Sequence, residues 1–313
     1  MGRKKSSSRP SKKSGPFSSL GGKRSGSRRG KRRSPLAAFL RKAIFVTLFL
    51  GIGIAIAGSV YYGFRAMQFD LEQVREAPQR TLVYDRSGNL LGHVSGHGEN
   101  RVAVPVDQVS PYFIKALLAR EDTRFYQHHG VDYIGVARAF VTNLKAGGTE
   151  QGASTLTMQL ARNTFGMKEM SLQRKFMEVA LSQRIERKFS KDEILAFYMN
   201  RVYFGSGLYG IARAAQGYFM KPAADLTLGE SAMLAGVIRG PSLLNPFRSL
   251  ESARDIQKEV LNRLVDAEII TKEEATAAAQ EKVTLRPPDQ RLATGSYTLQ
   301  AVFDLLEDFL EPH

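Results

Sequence analysis

An uncharged apolar run of 22 residues, from 43 to 64, constrains this chain more than any other feature. A helix of that length, at about 1.5 Å per residue, spans the roughly 30 Å hydrocarbon core of a lipid bilayer. The apolar region of a cleaved signal peptide is shorter, at about 7 to 15 residues, and a buried core helix rarely stays uncharged for so long. The run therefore predicts a transmembrane helix over residues 43–64.

The excess positive charge of the chain lies before this run. Residues 1–42 contain fifteen Lys and Arg and no Asp or Glu, and the remaining thirty basic residues are balanced by thirty acidic ones. Binding of nucleic acid requires a basic folded surface, so this distribution argues against nucleic acid as a partner. We interpret residues 1–42 as a disordered tail, because this mixture of Ser, Gly, Lys and Arg is too polar to bury a core.

The residues flanking the run predict its orientation. Arg41 and Lys42 abut the near end, whereas Tyr61 and Tyr62 lie near the far end, where interfacial aromatic residues are common. By the positive-inside rule, the tail is cytoplasmic and everything after Arg65 is outside. We expect a single-pass membrane protein whose main domain is extracytoplasmic.

The chain contains no Cys, which excludes disulfides, thiolate zinc sites and a cysteine nucleophile. Its five His leave a metal site made of histidine and carboxylate ligands open. The absence of Cys also fits an exported domain that folds without thiol chemistry.

The sequence after the apolar run predicts a small β element followed by a mostly α domain. Residues 81–94 alternate apolar and polar side chains around a Ser-Gly-Asn turn at 87–89, which is typical of a β-hairpin. From residue 111 to about 279 the periodicity is helical and is broken by Gly-rich turns. One helix start is explicit, because Ser190 followed three residues later by Glu193 is a capping-box pattern.

Two segments of the helical region combine side chains that can do chemistry. Residues 120–130 contain adjacent carboxylates, Glu121 and Asp122, although such pairs are commonly a solvated helix end and a nearby histidine is commonly structural. Residues 147–163 form a loop rich in Gly and hydroxyl groups. Such a loop can present N–H groups to an anion at a helix start, or it can be an ordinary capped turn.

A third segment places one carboxylate beside two cations. Arg174 precedes Glu178 by four residues and Lys175 precedes it by three, so all three side chains share one side of a helix. Taken alone, this pattern is equally well explained by a weak surface ion-pair ladder.

Together the three segments resemble glycosyltransferase family 51, the peptidoglycan glycosyltransferase module of class A penicillin-binding proteins and of monofunctional transglycosylases. The resemblance covers roughly residues 80–250. The family motifs Glu-Asp-x-x-Phe-x-x-His-x-Gly, Gly-x-Ser-Thr-x-Thr-x-Gln, Arg-Lys-x-x-Glu and Lys-x-x-Ile-Leu-x-x-Tyr-x-Asn are met in order by Glu121, Asp122, Phe125, His128 and Gly130; by Gly152, Ser154, Thr155, Thr157 and Gln159; by Arg174, Lys175 and Glu178; and by Lys191, Ile194, Leu195, Tyr198 and Asn200.

Three positions depart from the family pattern. Ala153 replaces the second Gly of the usual Gly-Gly-Ser-Thr, Met158 replaces the first Gln of Thr-Gln-Gln, and Arg162 stands where Lys is common. Arginine keeps the positive charge and can bind a phosphate through two hydrogen bonds. Methionine removes one hydrogen-bonding side chain, which changes that position and leaves the chemistry intact.

The resemblance implies an inverting polymerisation of lipid II, in which a sugar 4-hydroxyl attacks the anomeric carbon of the growing glycan strand and undecaprenyl diphosphate leaves. Glu121 would be the general base, with Asp122 supporting it. The leaving diphosphate needs no proton, so the implied cations Arg162, Arg174 and Lys175 would stabilise it. The resemblance implies that further residues bind the substrate or its diphosphate, namely Ser154, Thr155, Gln159, His128 and Asn200.

The resemblance also implies a cofactor, a location and partners. Mg²⁺ or Mn²⁺ would bridge the diphosphate, and Glu178 would either orient the cations or help to bind this metal. The location would be the bacterial inner (cytoplasmic) membrane, where residues 135–144 are apolar enough to dip into the bilayer. Lipid II, the growing glycan strand and cell-wall synthesis proteins would be the partners.

These expectations divide the chain into five parts: the tail 1–42, the transmembrane helix 43–64, a linker with a small β element 65–110, a mostly α, lysozyme-like glycosyltransferase domain 111–285 and a C-terminal extension 286–313. The transpeptidase motifs Ser-x-x-Lys and Lys-Thr-Gly do not occur, so cross-linking activity is not expected of this chain. The extension resembles the start of a linker to a transpeptidase domain. Both a shortened bifunctional protein and a naturally monofunctional enzyme stay open.

Three other functions compete with this interpretation. A lytic transglycosylase or muramidase also uses a helical core with one glutamate, but the cations of the third segment favour diphosphate chemistry over hydrolysis. An inactive scaffold that binds lipid II would need neither Glu121 nor Glu178, so their joint presence favours an enzyme. A membrane or nucleoid tether would need only residues 1–64.

Overall fold

The fold is mostly helical, with one two-stranded antiparallel sheet, in a computed structural model that describes residues 35–76, 81–84, 90–94, 102–148, 152, 154–167 and 169–287. This confirms the predicted mostly α class with a small β element. The strands are β1 (Thr81–Tyr84) and β2 (Leu90–Val94). The helices are α1 (Pro35–Met67), α2 (Glu72–Arg75), α3 (Pro111–Glu121), α4 (Tyr133–Ala146), α5 (Leu156–Thr164), α6 (Leu172–Lys188), α7 (Lys191–Arg201), α8 (Ile211–Phe219), α9 (Leu228–Val237), α10 (Pro241–Leu244), α11 (Leu250–Asp266) and α12 (Lys272–Gln280).

Helix α1 contains the predicted apolar run and extends beyond it at both ends. Its 26 residues Lys42–Met67 are long and apolar enough to cross a membrane, a property that a signal sequence shares. Large side chains such as Ile44, Phe49 and Ile54 are more than half exposed, so their hydrophobicity is not used for packing within the described chain. The chain divides into two compact units after Ile54, and the second unit, from Ala55 onward, contains the helical domain.

Strands β1 and β2 pair antiparallel where the sequence predicts a hairpin. Thr81 pairs with Val94, and the register shifts between Val83 and Tyr84. The predicted turn at 87–89 lies outside the described residues.

Helix α9 lies at the centre of the helical domain, packed against α3 and α11. Every residue from Gly229 to Val237 is buried. At Gly236 an added Cβ would lie 2.8 Å from the side chain of Ile256 on α11, so only glycine allows the two helices to approach this closely. This tight packing holds α3, whose last residue is Glu121, against the core.

Helices α5 and α7 start at well-defined N-caps. The hydroxyl of Ser190 accepts the N–H of Glu193, and the carboxylate of Glu193 accepts the N–H of Ser190, which confirms the predicted capping box. The hydroxyl of Thr155 likewise accepts the N–H of Met158 at the start of α5. Helix α5 packs against both α6 and α7, so these caps define where two of the packed helices begin.

A buried arginine at the end of α7 ties the segment after α1 to the helical domain. The NH2 group of Arg201 donates to the carbonyls of Gln73 at 2.9 Å, Val74 at 3.3 Å and Glu76 at 2.5 Å, around the end of α2. Its NH1 group donates to the hydroxyl of Thr164 at 2.9 Å. Helix ends leave carbonyl groups without intrahelical partners, and a guanidinium with five donors can satisfy several of them at once.

A second arginine does the same for the end of α1. Arg184, on α6, donates to the carbonyls of Ala66 and Phe69. Ala66 is fully buried, and the ring of Phe69 lies 5.0 Å from that of Phe165 after α5. The last turn of α1 is therefore part of the same packed body as α5 and α6.

We expect Arg201→Met to lower the free energy of unfolding by about 3 kcal/mol, because several carbonyls would lose one charged donor while the volume of the side chain is kept. Far-UV circular dichroism during urea unfolding in detergent measures this change, since the chain has no Trp for fluorescence. Lys258→Met is the matched control, because Lys258 and Asp255 form only an exposed pair at 3.5 Å. Equal unfolding midpoints for the two variants would contradict the role given to Arg201.

Candidate active site

Helix α3 ends beside two adjacent carboxylates that have different surroundings. Glu121 is partly exposed, whereas Asp122 is only 7% exposed. The chain leaves the helix at Asp122, whose φ of −159° and ψ of 73° are not helical, so the two side chains are not related by the helical spacing. Both border a cleft of about 430 Å³, which the second predicted segment lines with Gly152, Ser154, Thr155, Gln159 and Arg162.

The carboxylate of Asp122 joins the first two predicted segments. Each of its oxygens lies 3.0 Å from Nε2 of His128, and Oδ2 also accepts the backbone N–H of Leu156, the first residue of α5, at 3.0 Å. The hydroxyl of Thr155 donates to the carbonyl of Gly130 at 2.7 Å. These buried contacts set where α5 begins relative to the end of α3.

The glycine of the first motif is required by packing. Gly130 has a φ of +91°, and an added Cβ would lie 2.9 Å from the backbone carbonyl carbon of Ser182 on α6. Other residues rarely adopt this conformation, and none fits at this distance. The first segment therefore rests directly on the helix that carries the third segment.

The carboxylate of Glu121 is held by a side chain from α5. Nε2 of Gln159 donates to Oε2 of Glu121 at 2.8 Å, and the hydroxyl of Tyr198 on α7 donates to Oε1 of Gln159 at 3.0 Å. Burial raises the pKa of Tyr198 well above its usual value, and the charge of Glu121 raises it further against the opposing effect of Arg162. The phenol therefore keeps its proton and acts as a donor.

Glu178 lies in a cage of three cations. Its side chain is fully buried, with Nζ of Lys175 at 3.1 Å from Oε2, and with Nε of Arg174 at 3.3 Å and NH1 of Arg162 at 3.9 Å from Oε1. Lys175 also donates to the hydroxyl of Ser154, in the loop before α5. One carboxylate among three cations orients them and leaves a net positive charge beside the cleft.

This donor set does not fit a divalent metal held by Glu178. Both of its oxygens face cations, so a metal ion placed there would be repelled by Arg162, Arg174 and Lys175. Within the described part of the chain, no group of three or more His, Asp or Glu side chains is placed to hold a metal. Of the two roles that the sequence left open for Glu178, the geometry supports orientation of the cations.

Four of the expected binding residues do not line the cleft: Arg174 and Lys175, which contact Glu178, and Asn200 and His128. The side-chain amide of Asn200 accepts the N–H of Val104 at 3.0 Å and donates to its carbonyl at 2.8 Å, so it pairs with backbone. His128 is buried behind Asp122, and its ring does not line the cleft. Asn200 and His128 support the walls of the site from outside it.

The cleft also has a second basic wall, which the motifs did not predict. Arg120 on α3, Arg239 after α9 and Arg263 on α11 line it. Arg120 donates to Glu259 at 2.7 Å, which together with a bond from Arg263 at 3.1 Å lowers the pKa of the Glu259 carboxyl. Since 139 positions separate Arg120 from Glu259, no local pattern signals this wall, and only the packing of α3 against α11 creates it.

The profile of one protein family, described as transglycosylase, matches residues 87–265, which include the whole of the site described above. The chain belongs to the transglycosylase family. The matched range includes all three segments that the sequence analysis singled out.

Relatives of this transglycosylase domain include penicillin-binding proteins. Penicillin-binding protein 4 of Bacillus subtilis (strain 168) is 39% identical over 207 residues, which are 66% of this chain and 33% of that protein. Penicillin-binding protein 1A of Escherichia coli (strain K12) is 40% identical over 249 residues, which are 76% of this chain and 29% of that protein. A crystal structure of penicillin-binding protein 1A from Haemophilus influenzae aligns with 75% of this chain and 25% of its own, with 24% identity and a TM-score of 0.43. The chain thus spans about a third of the length of the relatives it matches.

We expect Asp122→Asn to destabilise the transglycosylase domain by about 2 kcal/mol, because an amide has one accepting oxygen where the carboxylate has two, and the negative charge is lost. Thermal unfolding followed by circular dichroism measures the change. Asp255→Asn removes an exposed carboxylate and serves as the control, with no expected effect. If Asp122→Asn and the parent unfold at the same temperature, the packing of the start of α5 against the end of α3 does not depend on this side chain.

Proposed function

We propose that this chain is a peptidoglycan glycosyltransferase, which polymerises lipid II into glycan strands and releases undecaprenyl diphosphate. Membership of the transglycosylase family supports the reaction class. One observation supports the chemistry most directly: a cleft-facing carboxylate, Glu121, shares the cleft with Arg162, a member of the cation cage around Glu178. A base on one wall and an anion site on another are the two things that this reaction needs.

In this proposal Glu121 takes the proton from the 4-hydroxyl of the acceptor sugar as its oxygen attacks the anomeric carbon of the donor. The bond from that carbon to the diphosphate oxygen breaks, and the configuration inverts because attack and departure occur on opposite faces. The diphosphate leaves as an anion without needing a proton. Its negative charge is stabilised by Arg162, Arg174 and Lys175 through charge-assisted hydrogen bonds.

Glu178 contributes by holding these cations in place before the substrate arrives. Because the cations are already oriented, little reorganisation is needed when negative charge develops on the leaving group. The loop residue Ser154, bonded to Lys175, extends this anion site toward the cleft. Asp122 acts on the reaction only through the position of its neighbours.

The lipid tail of the proposed substrate lies in a bilayer, and α4 offers an apolar surface to it. Phe140 and Leu144 on α4 are 68% and 73% exposed, and Met170 before α6 is 92% exposed. Exposed apolar side chains at such density are typical of a surface that lies at a membrane interface. In the proposal α1 anchors the chain in the bacterial inner membrane, with the tail in the cytoplasm and the domain outside. The proposed partners are the growing glycan strand and cell-wall synthesis proteins, and nucleic acid is not among them.

We expect the purified full chain to form glycan ladders from labelled lipid II in detergent with Mg²⁺, and Glu121→Gln to reduce the rate by about 10²- to 10⁴-fold, the contribution typical of a general base. Gel separation of the products measures both. Glu273→Gln, which removes an exposed carboxylate on α12, is the matched control and should polymerise like the parent.

The same preparation of the parent chain distinguishes the competing functions. Shortening of preformed, unlabelled glycan strands by the parent without any polymer from lipid II would favour a lytic enzyme. Retention of lipid II without polymer would favour a scaffold. Either result would overturn the proposed function.

Glu178→Gln tests the cation cage against the metal alternative. We expect polymerisation to fall by at least about tenfold, because the cations lose the carboxylate that orients them. The Mg²⁺ concentration that gives half-maximal activity should stay at the parent value. A rise in that concentration, with activity restored by excess Mg²⁺ or Mn²⁺, would instead identify Glu178 as a metal ligand. Circular dichroism of the variant is the control for folding.

A further inference from the structure

We propose that Tyr198 and Gln159 form a positioning relay that orients Glu121, and that Gln159 serves the base rather than the diphosphate. The inference rests on the proposed function for its kinetic consequences. It rests on the geometry alone for the relay itself. The relay joins three helices, since Glu121 ends α3, Gln159 lies on α5 and Tyr198 lies on α7.

The hydrogen bonds of the relay have a single direction. The phenol of Tyr198 is 1% exposed and keeps its proton, so it donates to the amide oxygen of Gln159 at 3.0 Å. That contact turns the amide nitrogen of Gln159 toward Oε2 of Glu121, at 2.8 Å. A rotated amide would face the carboxylate with its oxygen, and these two acceptors would repel each other, so the observed orientation of the amide is favoured.

The relay leaves one oxygen of Glu121 for the substrate. Gln159 occupies Oε2, and no donor from the described residues bonds to Oε1. The side chain of Glu121 is partly exposed, so its rotation is not fixed by packing alone, although the backbone at the end of α3 is held. Fixing Oε2 therefore fixes the direction in which Oε1 meets the acceptor hydroxyl, and proton transfer depends strongly on that direction.

The hydroxyl of a second buried tyrosine, Tyr218, has only a structural partner and provides a comparison. Tyr218 is also fully buried, but its hydroxyl donates to the backbone carbonyl of Phe204 at 2.8 Å, deep in the core. Tyr198 instead donates to a side chain whose other end contacts the cleft. The two residues offer a matched pair, because Phe substitution removes one buried, hydrogen-bonded hydroxyl from each.

Steady-state polymerisation of lipid II by the full chain tests the relay. We expect Tyr198→Phe to lower kcat by about 10- to 100-fold while KM stays within about twofold, since the base is misplaced and binding is not. Tyr218→Phe should lower thermal stability and leave both constants within about twofold of the parent. Gln159→Leu should lower kcat as Tyr198→Phe does, and the double variant should lose little more than Gln159→Leu alone, because the two residues act through one bond to Glu121.

Other outcomes overturn the relay. Unchanged kcat in Tyr198→Phe would leave Tyr198 as a core residue only. A raised KM with unchanged kcat in Gln159→Leu would show that Gln159 binds the substrate and does not orient Glu121. Fully additive losses in the double variant would show that the two side chains act separately.

A readout without turnover separates failure of the relay from failure of the proposed function. The side-chain amide protons of Gln159, observed by NMR in the ¹⁵N-labelled full chain in micelles, should shift in both Tyr198→Phe and Glu121→Gln and stay in place in Tyr218→Phe. If the parent chain makes no polymer but these shifts occur, the proposed function fails and the relay stands. If the amide signals do not respond to either substitution, the relay fails whatever the activity.

Discussion

The carboxylate of Asp122 is the contact on which the rest of the site depends. By accepting bonds from His128 and from the first N–H of α5, it fixes two segments that lie 34 positions apart in the sequence. Because Asp122 turns inward, its neighbour Glu121 at the end of α3 is left toward the cleft. The two adjacent acids thus differ in their partners: Asp122 is held by buried donors, whereas Glu121 is bonded to Gln159 through one oxygen.

The same difference in partners extends to the third carboxylate of the site. Glu178 is enclosed by cations and Asp122 by hydrogen-bond donors, whereas Glu121 lines the cleft and keeps one oxygen without a hydrogen bond from the described residues. A carboxylate can accept a proton in a reaction only if it is not already committed to a structural partner. The sequence presents three equivalent acids, and their partners make them different.

Local features were predicted well, and the surroundings of single side chains were not. The capping box at Ser190 and the placement of Glu178 beside its cations depend on spacings within one helix, which a sequence displays directly. Whether Asn200 faces a ligand or the backbone of Val104 depends on how distant segments pack. The resemblance grouped Gln159 with residues that bind the substrate or its diphosphate, but its contacts are with the buried Tyr198 and with Glu121, which only the packing of three helices reveals.

Helix α6 connects the cation cage to the last turn of α1. Glu178, near its start, is bonded to the cations, and Arg184, six residues later, is bonded to the carbonyls at the end of α1. Six residues of helix span only about 9 Å, so the anion site stands at a short and fixed distance from the last turn of α1. In the proposed function the diphosphate belongs to a lipid held in the bilayer, and α1 contains the segment expected to cross that bilayer. Because the helix that carries the cation cage is bonded to the last turn of α1, no flexible linker separates that turn from the cations, and fewer arrangements have to be searched when a diphosphate arrives.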